Sequence, residues 1–335
     1  MKDWISLTMK ALLDWSNLAF RALLTGIACT VLLSACTPQP QPISISIHVW
    51  PGYEPLALAH AIGWLDEKQV KLIQVPAFSD TIKLFEEGKV DAAGLTLDEV
   101  LHLREKGIPV SVILVCDISA GADMLLARSD IKTLHEIKGH RIAVEDGALG
   151  ALMQYQVLQA AGLKLEQITP VAIPIDKQVN AWKQGKIDAA ISYEPASSEL
   201  MQLGGKKLFD SRQIPNLIFD VIAVRTSVLD EAHSAALRHL VATHLKGLKH
   251  INTNPDDATY RMAPRFKLPP EQVMSTFKGL VLPDLDNNIR LLNSATPAML
   301  KSAETVAGIM HKANILHQQA NLNGLLRPEY LPRQE

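Results

Sequence analysis

Phe85-Glu86-Glu87-Gly88-Lys89-Val90-Asp91-Ala92-Ala93 returns 97 residues later as Trp182-Lys183-Gln184-Gly185-Lys186-Ile187-Asp188-Ala189-Ala190. Six of the nine positions agree, counting Val90 with Ile187. Each copy reads as a helix end, a glycine that can take positive φ, a turn, and a strand entering a core. Acidic residues follow each strand: Asp98-Glu99 after the first, Glu194 after the second. A repeat of this kind predicts two related α/β lobes. On either side, short β-branched runs alternate with helical patterns, the mark of a parallel sheet. In the first lobe the pattern predicts strands at 43–49, 71–75 and 90–95 and helices at 55–68, 81–87 and 98–106, with Gly63 tolerated inside the first helix. The second lobe opens at Gly139-His140-Arg141-Ile142-Ala143-Val144. It continues as helix 149–161, strand 169–174, helix 176–184 and strand 188–193. A strand at 219–224 returns to the first lobe, and a mostly helical tail begins with a long helix from Glu231 to about His250. Two crossings, near 124–128 and 221–225, would make a two-stranded hinge. Lobe 1 would then hold 43–125 and 224–335, and lobe 2 would hold 126–223.

The chain has 335 residues, 47% of them apolar and 20% charged, with a net charge of −2. That supports a large core, excludes a disordered chain and lacks the basic balance of a nucleic-acid binder. Three cysteines cannot build a disulfide framework or a four-thiolate zinc site. Cys116 lies in the apolar run Val110–Cys116 and is expected to be a buried strand residue. At the amino terminus, Lys2, Lys10 and Arg21 precede the apolar stretch Ala22–Leu32 and then Leu33-Ser34-Ala35-Cys36. Basic residues, a short apolar core and small residues before a cut are the signature of an export signal, here 1–35. The run is too short and interrupted to span a membrane. Leu33-Ser34-Ala35-Cys36 also looks like a lipobox, which would make Cys36 the acylated first residue. Thr37-Pro38-Gln39-Pro40-Gln41-Pro42 would be an extended tether.

Enzyme signatures are missing. There is no Gly-x-Ser-x-Gly elbow and no phosphate-cradling Gly-x-x-x-x-Gly-Lys-Ser/Thr. His135 and His140 are five residues apart, about 140° from one another on a helix, so they do not form a zinc pair. No metal site, cofactor or catalytic residue is expected.

Trp50-Pro51-Gly52-Tyr53-Glu54-Pro55, the repeated Gly-Lys-Val/Ile-Asp-Ala-Ala, Leu134–Val144 and Tyr193-Glu194-Pro195 together resemble a known family. It comprises the substrate-binding proteins of ABC importers of the nitrate, sulfonate and taurine type. The same superfamily includes binders of thiamine-pyrimidine precursors and the related pyrimidine synthases. The resemblance covers roughly residues 43–225. It implies a two-lobed, type II periplasmic-binding-protein fold that closes over a small ligand. The partners would be an ABC permease and its ATPase, with a monomeric receptor held at the periplasmic face of a membrane by its lipid. The outer membrane is favoured in a cell with two membranes. Two other functions stay open: a ligand-sensing lipoprotein with a membrane signalling partner, and a pyrimidine-synthase-like enzyme. The cysteine-rich motif of those synthases is absent.

Ligands in open α/β sheets sit beyond the carboxyl ends of strands. Those ends supply the candidate ligand-binding residues Trp50, Tyr53, Glu54, Ser79, Asp80, Thr96, Asp98, Asp146, Tyr193, Glu194 and Asp220. Trp50 and Tyr53 suit an aromatic platform. Glu54, Ser79, Asp80 and Asp98 fit equally well as helix caps or first-turn charges. In oxyanion-binding relatives the loop matching Glu145–Gly150 is rich in Gly, Ser and Thr, whereas here it carries two carboxylates. Glu99, Asp117, Asp123, Glu145 and Asp176 add to the acidic residues at the strand ends, against Lys177 alone as a basic residue. A cationic or nitrogen-rich, possibly heterocyclic ligand is therefore expected in place of an oxyanion.

Overall fold

Asp91 and Asp188, the aspartates of the two repeats, perform the same task in two different sheets. Asp91 accepts from the backbone N–H of Ser44 at 2.8 Å, and Asp188 from that of Arg141 at 2.9 Å. Each pins the start of a strand 47 residues upstream. A computed structural model describes residues 39–333; the expected signal peptide and Cys36 lie outside them.

The first sheet contains β1 (Ile43–Ile47), β2 (Val70–Gln74), β3 (Ala92–Thr96), β4 (Val110–Ser119), β10 (Phe219–Arg225) and β11 (Leu280–Val281). Its order is β11-β4-β10-β3-β1-β2. The second contains β5 (Met124–Ala127), β6 (Arg141–Val144), β7 (Thr169–Ala172), β8 (Ala189–Ser192) and β9 (Lys206–Asp210), in the order β7-β6-β8-β5-β9. The trio β2-β1-β3 is repeated as β7-β6-β8, with Ile45 opposite Ala92 in one and Ile142 opposite Ala189 in the other. In each lobe the strand arriving from the other lobe lies antiparallel beside the third strand of that trio: β10 on β3, β5 on β8. The sheets are therefore mixed where the pattern predicts parallel ones.

Helices α1 (Glu54–Ile62), α2 (Phe78–Glu86) and α3 (Leu97–Glu105) cover the first sheet. Helices α4 (Ala148–Ala161), α5 (Ile175–Lys183) and α6 (Ala196–Gln202) belong to the second. The tail adds α7 (Glu231–Thr253), α8 (Pro255–Phe266), α9 (Pro270–Val273), α10 (Leu285–Leu292) and α11 (Ala298–Lys312). Helix α1 stops six residues before the predicted end. Gly63 takes φ 83°, and the Trp64 N–H turns back to the Ala59 carbonyl at 2.9 Å. That closure ends a helix. Cys116 is buried in β4. No helix among the described residues is long and apolar enough to cross a membrane.

The crossings fall earlier than predicted. The first is Ala120–Asp123, between β4 and β5, and the second is residues 211–218, between β9 and β10. Residues 124–128 and 221–225 instead lie largely within strands of their lobes. The first boundary is set by β5, which pairs with β8 in the second sheet, and the second by β9, which the sequence pattern missed because its Lys206-Lys207 start is polar and exposed. The crossings are stitched side by side: Ser119 Oγ and Ser211 Oγ lie 2.7 Å apart, and the Gly121 N–H donates to Ser211 Oγ at 2.6 Å.

Candidate functional site

Strand ends from both lobes meet around a small cavity lined by His48, Trp50, Phe78, Thr96, Asp123, Leu149, Tyr193 and Asp220. It has room for about one water molecule. Trp50 of lobe 1 meets Tyr193 of lobe 2 edge to face, with centroids 5.4 Å apart and planes at 90°. His48 packs 5.3 Å from Phe78 and 6.0 Å from Tyr193. Burial, with the charge of Arg265 nearby, holds the His48 pKa down to about 3, so this ring is neutral. Among the described residues no lysine or arginine lines the cavity.

The polar part of the wall comprises the carboxyls of Asp123 and Asp220, the Thr96 hydroxyl and the His48 ring. The register of β10 on β4 sets Asp220 opposite Asp117, a cross-strand pair of like charge. Two donors from the turn after β1 relieve it. Trp50 Nε1 donates to Asp117 Oδ2 at 2.9 Å, and Tyr53 Oη donates to Asp220 Oδ1 at 2.7 Å. Gly52 permits this approach, because a Cβ there would stand 1.6 Å from Asp117 Oδ2. Burial pushes Asp117 up to about 7. Asp220 is driven well above the usual carboxyl range by burial and by the charges of Asp117 and Asp123. Asp123, in the first crossing, is raised by burial to about 6. Asp117 Oδ1 and Asp123 Oδ2 are buried without a hydrogen-bond partner. A buried acceptor in that condition is unfavourable until a donor reaches it. The wall thus presents aromatic faces, carboxyl oxygens, the Thr96 hydroxyl and the His48 ring nitrogen to whatever enters.

Of the residues singled out in the sequence, Trp50, Thr96, Tyr193 and Asp220 line the cavity. Tyr53 lies behind His48 and over Gly94, where it positions Asp220 without reaching the cavity. Glu54 is no cavity residue: it is buried against Arg265 of α8, whose Nε donates to it at 2.6 Å. Asp80 is exposed on the first turn of α2. Asp146 is exposed in a broad groove outside the cavity. Ser79 hydrogen-bonds Glu145 across the cleft. Glu194 is buried away from the cavity lining and accepts from Ser198 at 2.8 Å. Asp98 is buried with both oxygens unpartnered, its pKa raised to about 8 by burial and then by Glu99. His48, Phe78, Asp123 and Leu149 line the cavity but were not among those candidates. All four lie in or beside strand-end segments, which is the signal that could have found them. No group of three His, Cys, Asp or Glu among the described residues is placed to hold a metal ion.

Known proteins share this architecture. The taurine-binding periplasmic protein of Escherichia coli (strain K12) is 23% identical over 65% of this chain and 69% of its own length. Another curated relative is matched over only 45% of its length. The alkanesulfonate-binding protein SsuA from Xanthomonas axonopodis pv. citri, solved with MOPS, superposes with a TM-score of 0.71 at 18% identity, over 87% of this chain and 98% of that one. The desulfurization enzyme DszB superposes with a TM-score of 0.60 at 16% identity, over 86% and 97%. These likenesses establish a fold that serves receptors and at least one enzyme. The family profile described as NMT1/THI5 like matches residues 50–258, a span that takes in both crossings and seven of the eight cavity-lining residues, and the chain belongs to that family.

Proposed function

We propose that the chain is a solute-binding receptor that closes its two lobes on a small cationic or nitrogen-rich ligand and passes it to an ABC permease and ATPase. Cys36 anchors it to a membrane of the cell envelope, and the monomer works without catalysis or cofactor. The composition of the cavity wall carries this reading: aromatic rings, two carboxyl side chains, a neutral histidine and, among the described residues, no lysine or arginine. An ammonium or a planar protonated heterocycle meets ring faces and acceptors there. A bare anion meets the Asp123 carboxylate with no lysine or arginine beside it. At about 4 Å such a pair repels by roughly 4 kcal/mol at an effective dielectric of 20. The relatives are named for taurine and alkanesulfonates, which favours an anion; taurine also carries an ammonium, so it belongs in the test beside plain sulfonates.

A thermal-shift screen of amines, pyrimidines, taurine and simple sulfonates tests the reading, since a ligand of the folded state raises its melting temperature by mass action. Amines or heterocycles should stabilise the protein. A response confined to simple sulfonates would contradict it.

A further inference from the structure

Two carboxylates cross the cleft in opposite directions, each seated on the first turn of a helix in the other lobe. Glu145, at the end of β6 in lobe 2, reaches α2 of lobe 1. Its Oε1 accepts from the Ser79 N–H at 3.2 Å and from Ser79 Oγ at 2.9 Å. Its Oε2 accepts from Tyr193 Oη at 2.7 Å. Glu99, on the first turn of α3 in lobe 1, reaches α4 of lobe 2, where the Ala148 N–H donates to its Oε2 at 2.6 Å. Glu145 is 6% exposed and Glu99 1%. The helices run for nine and fourteen residues. Their first-turn N–H groups have no partner within the helix and favour negative charge. At each of these facing helix N-termini one backbone N–H, that of Ser79 or of Ala148, is therefore already held by a carboxylate of the chain itself. Deeper in the cleft, Asp123 Oδ2 and Asp117 Oδ1 remain unsatisfied acceptors.

We propose that Glu99 and Glu145 are specificity-determining residues: they stand in for an anion at the two facing helix N-termini, draw the lobes together and bar oxyanions from the cleft. The proposal rests on the receptor reading and says which residues set its ligand class. Truncating Glu145 leaves the Ser79 N–H, Ser79 Oγ and Tyr193 Oη without their acceptor. A small anion can then supply the charge and the hydrogen bonds that the carboxylate supplied.

Glu145→Ala, Glu99→Ala and the double variant test this, with ethanesulfonate as the probe in calorimetry and solution scattering on the unliganded proteins. Glu145→Gln serves as the conservative variant should a truncation fail to fold. The double variant should bind ethanesulfonate at least tenfold more tightly than the wild type, and Glu145→Gln should show a smaller gain in the same direction. Without ligand, the truncated variants should show a larger radius of gyration than the wild type. Folded variants with unchanged ethanesulfonate affinity and an unchanged scattering profile would overturn the proposal. If the wild type binds no amine or heterocycle yet the variants gain ethanesulfonate, the cationic-ligand reading fails and the role of the two glutamates stands.

Discussion

Asp123 enters the cavity from the segment joining the lobes, 4% exposed, with Oδ2 unpartnered. Burial lifts its pKa to about 6 and that of Asp117 to about 7, so both gain negative charge between pH 5 and 8. A bound cation favours the charged form, and its affinity should therefore rise with pH across that window. Asp123→Asn should weaken an amine ligand by more than tenfold at pH 8 and far less at pH 5, where the native carboxyl is already protonated. Calorimetric titration at both pH values checks this; affinity that improves on acidification would contradict it. At this scale the sequence was partly legible. Trp50, Thr96, Tyr193 and Asp220 reach the cavity because strand ends face the cleft. Direction was not legible: Glu54 occupies the same turn as Trp50, yet Arg265, 211 residues away, claims it.

Helix α8 is fastened to the turn after β1 by Arg265. Besides Glu54, Arg265 donates to the His48 carbonyl at 2.8 Å and to the Gln74 side chain. Burial raises the Glu54 pKa, and Arg265 opposes that rise. Removing the partner of a buried charge is more damaging than removing both. Arg265→Ala should cost about 3 kcal/mol in denaturant unfolding, whereas a loss within about 0.5 kcal/mol, as at an ordinary surface site, would contradict the role assigned to the pair. Elements were the most legible scale. The repeat located α2, β3, α5 and β8 within a few residues, because glycine caps and alternation are local signals. The stop of α1 at Gly63 and the antiparallel sense of β10 were not legible. The first needs the actual φ of one glycine, and the second depends on a partner more than 100 residues distant.

The two sheets share one repeated β-strand trio, each joined by an antiparallel strand at a crossing, and the small cavity lies where the crossings meet; β11 and the helical tail have no counterpart in the second lobe. Both crossings lie near Ser119 and Ser211, which places Asp123 in the first crossing and Asp220 at the start of the strand that follows the second. The two-lobed plan was legible because a duplication leaves its period in the sequence. The second crossing was not, since β9 carries a polar, exposed start. The envelope location belongs to this scale as well. Cys36→Ser should move the protein from the detergent phase to the aqueous phase in phase-partition assays, and unchanged partition would refute the anchor.

The central claim is the sign of the ligand's charge, and proton linkage reads it directly. The ligand from the screen should be titrated by calorimetry at pH 7 in two buffers of different ionisation enthalpy, which gives the number of protons exchanged on binding. A cation lowers the raised carboxyl pKa values, so net proton release is predicted. For a ligand whose own charge is fixed at pH 7, net uptake of protons would contradict the account.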